Sequence, residues 1–182
     1  MIKFFRGKIR DFVFTKIINN SQRRKSLMTL TNSKVIGILF NADDVQDILH
    51  VKSFIKYLVS KNIEVHVLGF VNSNNMDSIH LSSLHFNYFN KNDLNFIGIP
   101  HTIIPKSFHN RYYDILINFS VSDSFPIKYL AVKSDAAYKV GPYNNKSNSY
   151  YDLMIKLKLD SIEYFIQNVV HYLELIDKNN EK

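Results

Sequence analysis

Several polar side chains with ligand-binding chemistry lie at or just after the ends of two apolar runs, residues 34–40 and 113–119. They are Asn41, Asp43, Asp44, Asn118, Ser120, Ser122 and Asp123. If the two runs are neighbouring parallel strands, their carboxyl ends meet where open α/β sheets bind ligands. The sequence therefore predicts a pocket for a small ligand, with a nucleotide or a sugar as the expected class.

The three aspartates also admit a second chemistry, since carboxylates are good ligands for Mg²⁺. Aspartate and serine are, however, the residue types that helix N-termini select for capping. We favour the capping interpretation for Asp43, Asp44 and Asp123, and predict no metal site.

Other site types are excluded by missing motifs. The loop after residues 34–40 contains two aspartates and no glycine, so it lacks the glycine-rich fingerprint of a dinucleotide site. Neither a phosphate-binding P-loop motif nor a G-x-S-x-G nucleophile elbow occurs. The absence of cysteine removes thiolate metal ligands and cysteine nucleophiles. We accordingly predict no catalytic residue and no cofactor.

The net charge of +7 lies entirely in the first 25 residues, which hold eight basic side chains against Asp11 alone. The eight are Lys3, Arg6, Lys8, Arg10, Lys16, Arg23, Arg24 and Lys25. Such a segment could neutralise the phosphates of RNA or of a ribonucleoprotein, with an anionic membrane surface as the weaker alternative. A helix that packs on the domain and exposes a basic face is the other open interpretation.

Length and composition set the wider frame. The chain has 182 residues, 46% of them apolar and 21% charged, which is typical of a packed globular domain. No apolar run approaches the 18 residues of a membrane span, and the start of the chain lacks the pattern of a secretory signal. We expect a cytoplasmic protein.

Strand and helix patterns alternate from residue 34 onwards. Strands are predicted over residues 34–40, 63–71, 84–89, 113–119 and 137–141, with helices over 43–62, 124–134 and 160–178. Pro100 and Pro105 argue against a regular helix in the connection that they bracket. These elements predict a three-layer, Rossmann-like α/β sandwich with a five-stranded, mainly parallel sheet of order 3-2-1-4-5. A basic N-terminal helix and a long C-terminal helix are added to it.

Three segments follow from this pattern. Residues 1–30 form a basic amphipathic helical segment, with an apolar stripe of Ile2, Phe5, Ile9, Phe12 and Val13. Residues 31–178 form one Rossmann-like domain, and residues 179–182 are expected to be a disordered tail.

Several segments also resemble a family of short uncharacterised bacterial α/β proteins. They include Lys34-Val-Ile-Gly-Ile-Leu-Phe40, Asp93-Leu-Asn-Phe-Ile-Gly98, Tyr113-Asp-Ile-Leu-Ile-Asn-Phe-Ser120, Phe125-Pro-Ile-Lys-Tyr-Leu130, Tyr138-Lys-Val-Gly141 and Tyr151-Asp-Leu-Met-Ile155. The resemblance covers nearly the whole chain after the basic segment, and it implies a fold and a bacterial cytoplasmic setting but no catalytic residue. The unit from the fourth to the fifth strand is also similar, at the level of fold, to part of heptosyltransferase-like GT-B glycosyltransferases.

Two hypotheses of function follow. The first is a non-enzymatic interaction protein whose basic N-terminal helix contacts RNA or a ribonucleoprotein. The alternative is a protein or enzyme that binds a small nucleotide- or sugar-related ligand in the predicted pocket.

Overall fold

A computed structural model describes the backbone of residues 2–21, 23–143 and 150–180, and the side chains of these residues except 2–6 and 180. Its centre is a six-stranded parallel sheet of order β3-β2-β1-β4-β5-β6. The strands are β1 (Val35–Asn41), β2 (Glu64–Val71), β3 (Phe86–Asn90), β4 (Tyr112–Asn118), β5 (Asp135–Pro142) and β6 (Leu153–Ile155). The helices are α1 (Ile2–Asn19), α2 (Val45–Ser60), α3 (Ile103–His109), α4 (Phe125–Lys133) and α5 (Ile162–Asn180).

Helices cover both faces of the sheet, so the predicted three-layer architecture is confirmed. On one face, α2 and α5 pack on β1 residues such as Ile36, Ile38 and Phe40. On the other, α1, α3 and α4 pack over Leu39 and Leu116. Because β1 alternates between two buried layers, its near-continuous apolar sequence is what a central parallel strand requires.

The sheet has one strand more than the sequence predicts. Residues 153–155 form β6, which pairs with β5 in parallel and becomes the new edge. Three residues are too few to show a hydrophobic period, so this strand is defined by its pairing and not by its pattern. The predicted order of the other five strands is correct.

A helix also occupies the connection between Pro100 and the fourth strand, where the prolines led us to expect none. Pro105 is the third residue of α3, within the first turn. The backbone N–H groups of a first turn have no partner inside the helix, so a proline there removes no helical hydrogen bond. The objection to a helix was therefore wrong.

The N-terminal segment is helical only to Asn19, and not to residue 30 as predicted. Asn19, Asn20 and Ser21 follow one another, and these residue types favour helix ends because their side chains compete for backbone groups. Residues 23–26 then lie along β5, where the Ser26 N–H donates to Ala137 O at 3.1 Å.

The face of α1 that packs on the domain also differs from the predicted stripe. Phe14, Ile17 and Ile18 contact the core, whereas the side chain of Phe12 is 68% exposed. The side chains of Ile2 and Phe5, which also belong to the predicted stripe, lie outside the described residues. At the other end of the chain, α5 continues to Asn180, two residues into the segment that the sequence predicts as a disordered tail. Residues 181–182 of that segment lie outside the described residues.

Candidate functional site

A cleft of about 530 Å³ opens beyond the carboxyl ends of β1, β2 and β4, where the sheet order reverses. Four of the predicted site residues line it: Asn41, Asp43, Ser122 and Asp123. The remaining lining residues were not part of the predicted pocket, and they are Arg10, Phe70, Asn72, Lys91, Leu94, Asn95, Gly98, Ser124, Phe125 and Pro126.

The two aspartates after β1 have different local roles. Asp44 is the N-cap of α2, and its Oδ1 accepts the N–H of Gln46 at 2.6 Å. Asp43 lies in the cleft, where its Oδ1 accepts the N–H of Asn72 at 2.6 Å and ties the loop after β2 to the loop after β1. Because the N-terminus of α2 is capped by a carboxylate, that helix end is a poor site for a phosphate.

Two polar atoms of the cleft residues are buried without a hydrogen-bond partner among the described residues. Asn41 donates through Nδ2 to Ser122 Oγ at 2.7 Å, but its Oδ1 has no donor. Ser124 Oγ, at the N-cap of α4, is likewise buried and unpaired. Buried polar atoms are nearly always paired, with protein, water or ligand. Asn41 Oδ1 and Ser124 Oγ thus have unused hydrogen-bonding capacity, in two residues that line the cleft.

Basic side chains from two distant segments border the same cleft. Arg10 of α1 donates through Nε to Ile97 O at 2.6 Å, and its guanidinium carbon lies 4.4 Å from the centre of the Phe125 ring. Lys91, in a short 3₁₀ turn after β3, also lines the cleft. On the acidic side, Asp123 pairs with Lys128 at 2.5 Å. The Asp123–Lys128 pair has no net charge. The two positive charges of Arg10 and Lys91 therefore exceed the one negative charge of Asp43, and the cleft favours an anionic group.

Asn118 and Ser120 line a smaller cavity of about 210 Å³ that Tyr143 and Tyr151 also border, whereas Asp44 lines neither space. Asn118 is 2% exposed, and both polar atoms of its side chain form a hydrogen bond. Its Nδ2 donates to the Tyr151 hydroxyl at 2.6 Å, and its Oδ1 accepts the Ser120 N–H at 2.9 Å. Ser120 Oγ is buried and unpaired. Burial raises the pKa of Tyr151 far above its ordinary value, so its hydroxyl stays protonated. This cavity can hold a polar group, and its described lining includes one ion pair, Asp123 with Lys128.

The basic side chains of the N-terminal segment do not form one surface. Arg10 borders the cleft, and Arg23 is held by Asp152, with a side chain that is only 6% exposed. Lys8, Lys16, Arg24 and Lys25 are exposed. The side chains of Lys3 and Arg6 lie outside the described residues.

Among the described residues, no group of three His, Asp or Glu side chains could hold a metal ion. In the same part of the chain, no histidine forms a hydrogen bond with Ser120, Ser122 or Ser124. None of the helices that the structure describes combines the length and apolarity needed to cross a membrane.

Sequence reasoning missed the part of the cleft that comes from long-range packing. Asn72 directly follows β2, the neighbour of β1, so its position at the same edge could have been inferred from the predicted strand order. Gly98 carried no comparable signal, because Arg10 and the turn around Gly98 meet only in the folded chain, where Arg10 Nε donates to Ile97 O. Arg10, which was predicted to contact a polyanion, contacts Ile97 and Phe125 and lines the cleft.

Comparison with known proteins gives a family and no activity. No curated protein matches the chain. The model of a family of unknown function, DUF6913, matches residues 8–176, which includes all six strands and most of α1 and α5. Its extent confirms the expected membership of an uncharacterised family, and the chain belongs to DUF6913.

Proposed function

We propose that the protein binds a small, hydroxyl-rich organic anion, such as a sugar phosphate or a nucleotide, in the cleft beyond the carboxyl ends of β1, β2 and β4. The observation that carries the proposal is the pair of buried, unpaired polar atoms in residues that line it, Asn41 Oδ1 and Ser124 Oγ. Leaving such an atom unpaired costs about 1–3 kcal/mol. A ligand hydroxyl that forms a hydrogen bond with either atom would recover part of that energy.

The rest of the lining fits the same ligand class. Asn72 and Asn95 add amide groups, and Asp43 keeps one carboxylate oxygen for a hydroxyl while the other accepts the Asn72 N–H. Arg10 and Lys91 supply positive charge for an acidic group. The volume of about 530 Å³ is within the usual range for small-molecule sites, roughly 300–1,000 Å³.

The experiment is a thermal-shift screen of the full chain with nucleosides, nucleotides, neutral sugars and sugar phosphates. A ligand present at 100 times its dissociation constant adds about 2.7 kcal/mol of stability, which corresponds to roughly 5–10 °C for a chain of this size. We expect a shift with at least one phosphorylated member and a smaller one with its unphosphorylated counterpart.

Two variants separate the cleft from other surfaces. Asn41→Ala is expected to weaken binding at least tenfold, because it removes both the orphaned acceptor and the bond to Ser122. Asn87→Ala is the matched control, since Asn87 is exposed on β3 and does not line the cleft. Flat melting curves throughout the panel, or equal binding by both variants, would contradict the proposal.

Binding of RNA or a ribonucleoprotein is the second candidate function. The observation that supports it is the exposure of Lys8, Lys16, Arg24 and Lys25, four cations of one chain segment. Arg23 is held by Asp152, which reduces the number of phosphates that the segment can meet. A bacterial cytoplasmic setting stays a prediction from the sequence.

A further inference from the structure

A buried lysine lies in the middle of β5, away from the cleft. Lys139 is 2% exposed and stands between Tyr138 and Val140. Its Nζ donates to Val132 O at 3.0 Å. Among the described residues, no carboxylate oxygen lies within 4.0 Å of that nitrogen. The ammonium therefore has one neutral acceptor and no adjacent counter-charge.

A cavity of about 150 Å³ adjoins this lysine and shares no lining residue with the cleft. It is lined by Ile18, Ser21, Arg23, Lys25, Val132, Lys139 and Tyr150. Both partners of the Lys139–Val132 hydrogen bond thus belong to its wall. Three of the lining residues are basic and none is acidic.

The charges around the cavity do not balance. Arg23 is neutralised by Asp152 through two hydrogen bonds. Lys25 Nζ lies 3.5 Å from the same carboxylate, and the Lys25 side chain is 61% exposed. Asp135, at the start of β5, is exposed. One carboxylate therefore serves two cations, and Lys139 adds a third positive charge when it is protonated.

This environment disfavours the protonated lysine. Burial lowers the pKa of Lys139 to about 7, and the charges of Arg23 and Lys25 act in the same direction, partly opposed by Asp152 and Asp135. A buried ion is stable in a protein when a partner of opposite charge and further hydrogen bonds replace its lost hydration. The protein supplies only part of that replacement.

We propose that the cavity bordered by Ser21, Arg23, Lys25 and Lys139 binds a small oxyanion, a phosphate or a carboxylate, which supplies the missing negative charge. The Lys139 ammonium has two N–H groups beyond the one given to Val132, and Ser21 adds a hydroxyl. The small volume selects a free anion of a few atoms. This site is independent of the ligand proposed for the cleft.

Anion binding in such a site is coupled to proton uptake. A negative charge beside Lys139 favours its protonated form, so binding above pH 7 must add the proton that the free protein has released. The affinity for an anion that does not itself titrate is expected to be about tenfold lower at pH 8 than at pH 6.

The test is isothermal titration calorimetry of the full chain with sodium sulfate, which does not titrate in this range, at pH 6 and pH 8. Two buffers with different ionisation enthalpies at pH 8 measure the protons taken up. We expect weaker binding at pH 8 with uptake of close to one proton. Competition by inorganic phosphate or by acetate then identifies the preferred oxyanion.

Variants locate the effect. Lys139→Met removes the ammonium and keeps an unbranched side chain one atom shorter; it is expected to weaken sulfate binding at pH 6 at least tenfold and to abolish proton uptake. Lys25→Ala, at an exposed position, is expected to weaken binding several-fold. Lys133→Met is the control, since Lys133 is exposed on α4 and outside the cavity. Absence of sulfate binding at pH 6, or unchanged binding by Lys139→Met, would overturn the proposal.

Discussion

Arg23 and Asp152 form a two-point ion pair, with Arg23 Nη1 2.6 Å from Asp152 Oδ2 and Nη2 2.8 Å from Oδ1. Nη1 also donates to the carbonyl oxygens of Ala136 and Ala137, and Asp152 Oδ2 accepts the backbone N–H of Lys139. The pair therefore ties the segment after α1 and the residue before β6 to the same strand, β5.

Arg23→Ala is expected to destabilise the protein by about 3–5 kcal/mol, because it removes the buried cation from a largely buried carboxylate and leaves it the exposed Lys25, 3.5 Å away. The two side chains are only 6% and 12% exposed. Urea denaturation at pH 7 measures the change. Arg24→Ala, at the exposed neighbouring position, is the control and should shift stability by less than about 0.5 kcal/mol.

The same variant has a signature at acid pH. Burial alone would raise the pKa of Asp152, but the Arg23 guanidinium and the Lys139 N–H hold it below its ordinary value of 3.8. The stability that this carboxylate contributes is thus present above pH 3.8 and is lost as the pH falls through the lower folded value. The difference between wild type and Arg23→Ala should persist at pH 5 and shrink below pH 4; an equal difference at pH 3 and pH 7 would contradict this role of the ion pair.

Lys139→Met is expected to change how stability depends on pH. Between the folded pKa of about 7 and the ordinary value of 10.5, the unfolded chain holds a proton that the folded chain has released. Wild-type stability therefore rises with pH in this interval, and the destabilisation is complete below pH 7. At about 1.4 kcal/mol per unit of pKa, wild type should gain about 2 kcal/mol on the variant from pH 7 to pH 9. Denaturation in buffers free of phosphate and sulfate measures it, with Lys133→Met as the control that should parallel wild type.

The parts of the fold that the sequence predicted are those with a local pattern. Continuous apolar runs identified β1 and β4. The alternation of strand and helix patterns around them indicated a doubly wound sheet, and the strand order was predicted from that architecture. The buried face of α1 was not readable in the same way, since Phe12 and Phe14 belong to different apolar faces and only packing on α4 selects Phe14. The three-residue β6 has no period at all.

The site divides along the same line. Asn41, Asp43, Ser122 and Asp123 follow strands directly, so the strand order was enough to place them together. Residues from distant segments, such as Arg10 and Gly98, complete the cleft. No local sequence pattern predicts that these segments meet. Lys139 did have a sequence signal. A charged residue inside an otherwise apolar strand predicts a buried charge, which needs a partner.

Gly98→Ala is expected to disturb the cleft from a turn outside the sheet. Gly98 has φ of 85°, a conformation that costs a side chain about 1 kcal/mol or more, and an added Cβ would lie 2.5 Å from Arg10 Nη2. We expect the free energy of unfolding to fall by about 1–2 kcal/mol. The free energy of binding an anionic ligand should fall by more than that, because Arg10 must move. Titration with the best ligand of the screen compares the two effects.

Gly7→Ala is the control for that substitution. Gly7 lies within α1 and has open space where the Cβ would be, so alanine should raise stability by about 0.5–1 kcal/mol and leave ligand affinity unchanged. Equal ligand affinity in Gly98→Ala and wild type would show that Arg10 does not contribute to binding in the cleft.

RNA binding by the N-terminal segment is best tested by charge substitution and not by truncation, because removing residues 1–26 would also remove the Arg23–Asp152 ion pair and the contacts of Phe14. The variant is Lys8→Gln, Lys16→Gln and Arg24→Gln together. Each phosphate contact on a single strand contributes about 0.7 to the slope of log affinity against log salt concentration, so three lost contacts lower the slope by about 2. A triple variant at the exposed residues Lys56, Lys156 and Lys158 makes the same change in net charge elsewhere. If both triple variants reduce the slope equally, binding reflects net charge alone; a reduction confined to the first assigns the RNA contact to the N-terminal segment.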